Sequence, residues 1–192
     1  MDTLLALVSI ALTAGSLAGS PAIRDIDGRL HTPFAPGGRA SVLLFLTSDC
    51  PISNGYAPEI QRLCAAYASQ GMRCLLLYED VRITPAAVRT HLAAYRYAGV
   101  AAAVDGDRAI ARAAGASVTP EAVVVDRAGT VRYRGRIDNL YVDLGRRRHV
   151  ATVHDLRAAI EAVLADRPVA TPRTEALGCY IPTDPGRSEE SR

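Results

Sequence analysis

Apolar runs punctuate the chain at SVLLFLT (41–47), MRCLLLYE (72–79), VAAAVD (100–105) and EAVVVD (121–126). Runs of this length without polar alternation suit strands covered on both faces. Between them the period changes. From Ser53 to about Ser69, Ile60, Leu63, Cys64 and Tyr67 share one helical face, and Gly71 stops the helix. Thr84-Pro85 opens another helix, because Thr is a good N-cap and Pro fits the first helical position; it runs through His91 to about Tyr97. Asp107 to Ala114 reads as a short helix ended by Gly115. RAG at 127–129 turns the chain into TVRYRGR, an alternating strand. ATVHDLRAAIEAVLAD (151–166) is amphipathic, with Val153, Leu156, Ile160 and Val163 or Leu164 inward, and Pro168 ends it. Ahead of all this, Asp27-Gly28 in DIDGRLHTPF (25–34) marks an opening hairpin.

The predicted order is β-α-β-α-β-α-β-β-α. Alternation places parallel strands under helices, and the last two strands form a hairpin, so the class is α/β with a mixed sheet. Residues 167–192 are Pro-rich and have no period; they read as an irregular tail whose tip, DPGRSEESR, is expected to be disordered. The chain has 192 residues, enough for one domain with a sizeable core. A net charge of +2 gives no electrostatic argument for nucleic acid.

Residues Leu4 to Ala18 are apolar or small and uncharged, and Ser16-Leu17-Ala18 supplies small residues where a signal peptidase reads. We read residues 1–20 as a signal peptide, cleaved near Ala18 to Ser20, or as an N-terminal anchor; Asp2 stands where Lys or Arg is usual. The expected location is periplasmic or otherwise extracytoplasmic, with membrane contact only if that segment stays attached. The cysteines are Cys50, Cys64, Cys74 and Cys179, an even number that permits disulfides in an exported chain. Their spacing matches no zinc site, and no metal or other cofactor is expected.

Cys50 follows the strand SVLLFLT and precedes a helix. Unpaired N–H groups in a first helical turn favour a thiolate, the form that attacks disulfides and peroxides. Pro51 suits that turn because its missing N–H would have no partner. Thr47 is placed to donate its hydroxyl to the sulfur or to a bound oxygen. Cys64 lies fourteen residues along the helix that Cys50 begins, about 20 Å away at ~1.5 Å per residue, too far for a disulfide with it. Cys64 and Cys74 either meet across the helix–sheet contact or remain two reduced core cysteines. Cys179, in the apolar island ALGCYIP, is the candidate to resolve Cys50, since thirteen residues from Asp166 extend up to about 40 Å. Arg132, Arg134 and Arg136 alternate along a face expected to be solvated, and Tyr141 and Asp143 are candidates for the entrance of the site.

CPISNGYAP has a Pro eight residues after the Cys, and GASVTPEAVVVDRAGTVRYRGRID spans 115–138. In order and spacing, residues 22–166 resemble a thioredoxin-like redoxin domain. DCPISNGYAPEIQRL and PRTEALGCYIP are similar to an exported bacterial group within the alkyl hydroperoxide reductase/thiol-specific antioxidant superfamily. The resemblance implies a thioredoxin-like fold over 21–166, a mixed central sheet with helices on both faces, and a C-terminal tail over 167–192 carrying Cys179. It also implies that Thr119-Pro120 is a cis pair whose backbone edge holds the substrate chain, with Pro51 and Ser53 beside it. The departures matter. Ser53 stands where thioredoxin-like reductases have a second Cys, Leu43 where peroxiredoxins have Pro, Pro120 near where they place an activating Arg, and Asn54 where copper-chaperone relatives have a second Cys.

The leading expectation is an exported thiol–disulfide oxidoreductase with Cys50 as nucleophile and Cys179 as resolving thiol. Its partners would be a protein thiol or disulfide, or a small peroxide, with an external thiol reductant. The alternatives are a thiol peroxidase with antioxidant activity using Cys50, and a non-catalytic redoxin-fold module binding copper or a protein. The catalytic readings fail if Cys50 proves both deeply enclosed and unreactive toward alkylating reagents in the native molecule.

Overall fold

The computed structural model describes residues 20–80 and 82–181, so the apolar leader and the DPGRSEESR tip lie outside the described residues. The strands are β1 (Ile23–Arg24), β2 (Leu30–His31), β3 (Ala40–Leu46), β4 (Met72–Tyr78), β5 (Ala101–Val104), β6 (Val118–Thr119), β7 (Glu121–Asp126), β8 (Val131–Gly135), β9 (Tyr141–Asp143), β10 (Arg146–Arg147) and β11 (Cys179–Tyr180). The helices are α1 (Pro51–Gly55), α2 (Ala57–Ala68), α3 (Pro85–Ala94), α4 (Ala109–Ala114) and α5 (Asp155–Leu164). A five-stranded sheet runs in the order β5-β4-β3-β7-β8. β3 is parallel to β4 and antiparallel to β7, which gives the mixed sheet its character.

Every residue of central β3 is buried, and successive side chains serve opposite faces. Val42, Leu44 and Leu46 pack with Ile60 and Leu63 of α2, Val88 of α3, and Leu156 and Ile160 of α5. Leu43 and Phe45 pack on the other face with Ile110, Ala111 and Ala114 of α4. Burying one such side chain contributes roughly 1.5–3 kcal/mol, so the continuous runs are the main fold-forming signal.

Four expectations need correction. The helix expected from Ser53 to Ser69 is two helices joined at Tyr56, whose N–H is shared between the carbonyls of Ile52 and Ser53. Pro58 has no N–H to continue the ladder, which explains the break. The final helix begins at Asp155 because Asn139 holds the preceding loop: its Oδ1 accepts the Thr152 and Val153 N–H groups at 2.8 and 3.0 Å. Val153 is consequently exposed instead of inward. Arg132 stays exposed as expected, but all three arginines are paired, Arg132 with Asp126, Arg134 with Glu121 and Arg136 with Asp155, and Arg134 is largely covered.

The tail is the fourth case. It is ordered along β8, where the Arg134 N–H bonds to the Pro172 carbonyl at 3.0 Å and the Thr174 N–H to the Arg134 carbonyl at 3.1 Å. It then crosses to pair antiparallel with β6, with Cys179 opposite Thr119 and Tyr180 opposite Val118. A disulfide joins Cys64 in α2 to Cys74 in β4, settling the alternative left open by spacing.

Candidate functional site

The site forms where β3 hands over to α1. Asp80, just beyond β4, accepts hydrogen bonds from the Ser48 N–H at 3.1 Å and the Ser48 hydroxyl at 2.7 Å. Asn54 of α1 closes the loop from the other side, its amide nitrogen donating to the Ser48 carbonyl at 3.0 Å. That leaves Asn54 Oδ1 as an acceptor for His91 Nε2 at 2.9 Å, so His91 carries its proton on Nε2 and Nδ1 accepts from the Tyr78 hydroxyl at 2.8 Å. Burial holds the His91 pKa below its ordinary value, although Asp80 pulls upward, in keeping with a neutral ring. Tyr56 anchors the far end of α1 by donating to Asp138 Oδ1 at 2.7 Å. The loop that presents Cys50 is thus braced from β4, α3 and the segment after β8.

Cys50 occupies the N-cap of α1 and is only 1% exposed. Its Sγ lies 3.5 Å from the Thr119 carbonyl oxygen and 3.5 Å from Cys179 Sγ. Burial opposes its thiolate, but hydrogen bonding from Ser53 and Ile52 and from the Cys179 thiol outweighs burial and holds the Cys50 pKa below that of an ordinary cysteine. Ser53 Oγ is buried and makes no hydrogen bond of ordinary geometry. Cys179 behaves oppositely. Partial burial, its bond to Cys50 and the neighbouring Cys50 anion push its thiol up to about 11.

Thr119-Pro120 is a cis peptide bond. The edge of β6 that precedes it is taken by β11 of the same chain. Gly178 makes this approach possible, since a Cβ there would overlap the carbonyl of Thr119. The Ile181 N–H continues the contact to the Ser117 carbonyl at 2.9 Å, and the Ile181 side chain is buried. Thr47 hydrogen-bonds to the Thr119 hydroxyl at 3.2 Å, which in turn lies 3.4 Å from the Cys179 carbonyl. It thus secures the tail edge, and its bond goes to Thr119 instead of to the Cys50 sulfur. Pro51 is exposed on the first turn, whereas Ser53 faces inward and is buried. Tyr141 packs on Tyr56 with ring centroids 5.1 Å apart, whereas Asp143 is exposed at the end of β9.

A cleft of about 390 Å³ lies beside the site, with Tyr56, Pro120, Arg136, Tyr141, Arg148 and Leu177 in its walls, but not Cys50. Nearby, Glu59, Asp138 and His154 each place one ligand atom within 4.8 Å of the others. Glu59 is already paired with Arg62, and Asp138 accepts from Tyr56 and from the Leu140 N–H. The bracing by Asp80, His91 and Asn54 and the close approach at Gly178 are absent from the sequence reading. The available signal was positional: Asp80 follows a buried strand parallel to β3, and side chains at the carboxyl ends of such strands gather at one rim.

The chain matches no family model, and no curated protein matches it in sequence. Solved structures do resemble it. A hypothetical protein from Sinorhizobium meliloti 1021 is 27% identical over 90% of this chain and 95% of its own, with a TM-score of 0.70. An uncharacterized conserved protein from Geobacillus kaustophilus is 22% identical over 88% of this chain and 92% of its own, with a TM-score of 0.72. A secreted Mycobacterium tuberculosis disulfide oxidoreductase homologous to E. coli DsbE is 17% identical over 77% of this chain and 96% of its own, with a TM-score of 0.52. The mixed five-stranded sheet, the helices on both of its faces and these likenesses together show that this chain has a thioredoxin-like fold.

Proposed function

We propose that the protein is an extracytoplasmic thiol–disulfide oxidoreductase whose redox pair is Cys50 and Cys179. The observation that carries this reading is the 3.5 Å approach of the two sulfurs, held by the pairing of β11 on β6. A disulfide requires only a short closure from there, because the β11–β6 pairing fixes the backbone around Cys179 and the start of α1 fixes that around Cys50. The secreted disulfide oxidoreductase with the same fold supports the class of reaction and the location. Cys50 is the thiol held as a thiolate, favoured by the N–H groups of α1, and Cys179 is the thiol that pairs with it in the disulfide. Cys64 and Cys74 are already bonded to each other and take no part in exchange.

Mild oxidation of the reduced protein with diamide is expected to give a Cys50–Cys179 disulfide in peptide maps. The oxidised protein should accept electrons from dithiothreitol, and Cys50→Ser should abolish turnover of glutathione disulfide. Lack of that linkage would overturn the assignment. Consumption of hydrogen peroxide at rates matching thiol oxidation would move the protein to the peroxidase class with the same Cys50.

A further inference from the structure

We infer that this protein exchanges electrons with its partner through Cys179: the external sulfur bonds to the tail cysteine, and Cys50 never contacts the partner. This inference rests on the proposed pairing of Cys50 with Cys179 and assigns the two thiols their order in the exchange.

Three observations converge. Cys50 is 1% exposed, whereas Cys179 is exposed. The β6 edge, where a partner's main chain would otherwise pair, is filled by β11. The tail is fastened on both sides of Cys179, by Thr174 against the Tyr133 hydroxyl at 2.7 Å and by buried Ile181. A partner sulfur therefore meets Cys179 first, and the tail acts as a built-in substrate strand that stays in place during exchange.

Sulfur chemistry favours the same order. Thiolate attack on a disulfide proceeds faster when the departing sulfur is the better-stabilised anion. An external dithiol attacks Cys179 Sγ; the Cys50–Cys179 bond breaks, and Cys50 leaves as a thiolate facing the N–H groups of Ile52 and Ser53. The partner's second thiolate then attacks the mixed disulfide and expels Cys179, which takes up a proton. Two electrons have passed to the protein and the partner has become a disulfide. In the reverse direction Cys179 gives up its proton and attacks one sulfur of the partner disulfide, freeing the other as a thiolate that takes up that proton. The Cys50 thiolate then closes on Cys179 and expels the first partner sulfur, leaving the partner as a reduced dithiol and the protein as the Cys50–Cys179 disulfide.

The test uses the full chain. The diamide-oxidised protein is treated with glutathione, acid-quenched, alkylated with N-ethylmaleimide and mapped. Glutathione is expected on Cys179 and the alkyl group on Cys50, with at least about tenfold preference over the converse, in keeping with a leaving-group bias of more than one pKa unit. Comparable or reversed labelling overturns the inference. In parallel, 5,5′-dithiobis(2-nitrobenzoate) is reacted with reduced Cys50→Ser and Cys179→Ser proteins. Cys179 should react at least about tenfold faster than Cys50, despite the more acidic thiol of Cys50, and adding Gly178→Ala to Cys179→Ser should speed the Cys50 reaction. A fast Cys50 reaction under the intact tail also overturns it. If diamide yields no Cys50–Cys179 disulfide at all, the proposed function fails instead, so the two failures are distinguishable.

Discussion

At the scale of single residues, the two sulfurs of the pair are made unequal by what faces them. Cys50 looks into the backbone N–H groups of Ile52 and Ser53, whereas Cys179 looks at Cys50 itself and lies near Asp49. The reduced pair therefore holds one proton between the depressed Cys50 value and about 11. The disulfide holds none. Reduction takes up two electrons with one proton within that window and with two protons below it. The reduction potential is expected to fall by about 30 mV per pH unit inside the window and by about 59 mV below it, as a two-electron couple requires. Redox titration against glutathione at pH 5 to 10 checks this, and a single 59 mV slope throughout would contradict the inequality. Cys50 and Cys179 were legible as candidates from their places beside a strand end and in an apolar island. The bracing of Ser48 by Asp80 and of Asn54 by His91 was not, because side chains 32 and 37 residues apart meet only after β3, α1 and α3 have packed.

At the scale of elements, periodicity located β3, β4, β5 and β7 closely, since their unbroken apolar runs have no other stable home than the middle of a sheet. It failed where a local pattern was overruled from afar. Val153 fits a helical stripe, yet Asn139 claims its N–H and keeps it in a loop. The tail lacks a period because its order comes from β6 and β8, not from its own sequence. The Cys64–Cys74 disulfide staples α2 to β4 across a sequence separation of 10. Its removal in Cys64→Ala/Cys74→Ala is expected to cost about 2–3 kcal/mol by loop-closure entropy. The checks are a lower urea midpoint and unchanged Cys50–Cys179 pairing in peptide maps.

At the scale of the whole molecule, Glu79, Asp105 and Arg108 form a charged cluster buried on the α4 side of the sheet. Burial and the nearby Asp105 push the Glu79 carboxyl up to about 9, against the pull of Arg108, and neither of its oxygens has a hydrogen-bond partner among the described residues. The folded pKa lies above the unfolded one, so between about 4.5 and 9 the native state binds more protons than the unfolded chain. Stability then decreases as pH rises through that window, the opposite of a salt-bridged carboxylate. Glu79→Gln should flatten this dependence and raise the Tm at pH 8 by a few degrees; thermal melts from pH 5 to 9 would expose the error if the two proteins ran parallel. The sequence by itself determined the layered α/β architecture, because the succession of unbroken apolar runs and helical stripes is a local property of the chain. It also determined which cysteine begins a helix. Only the tertiary structure decided that Cys179 lies against Cys50, that the chain's own tail fills the β6 edge, and that Cys50 is covered. Those outcomes depend on long-range strand pairing and on one close backbone approach at Gly178, neither of which leaves a periodic trace in the residues that make it.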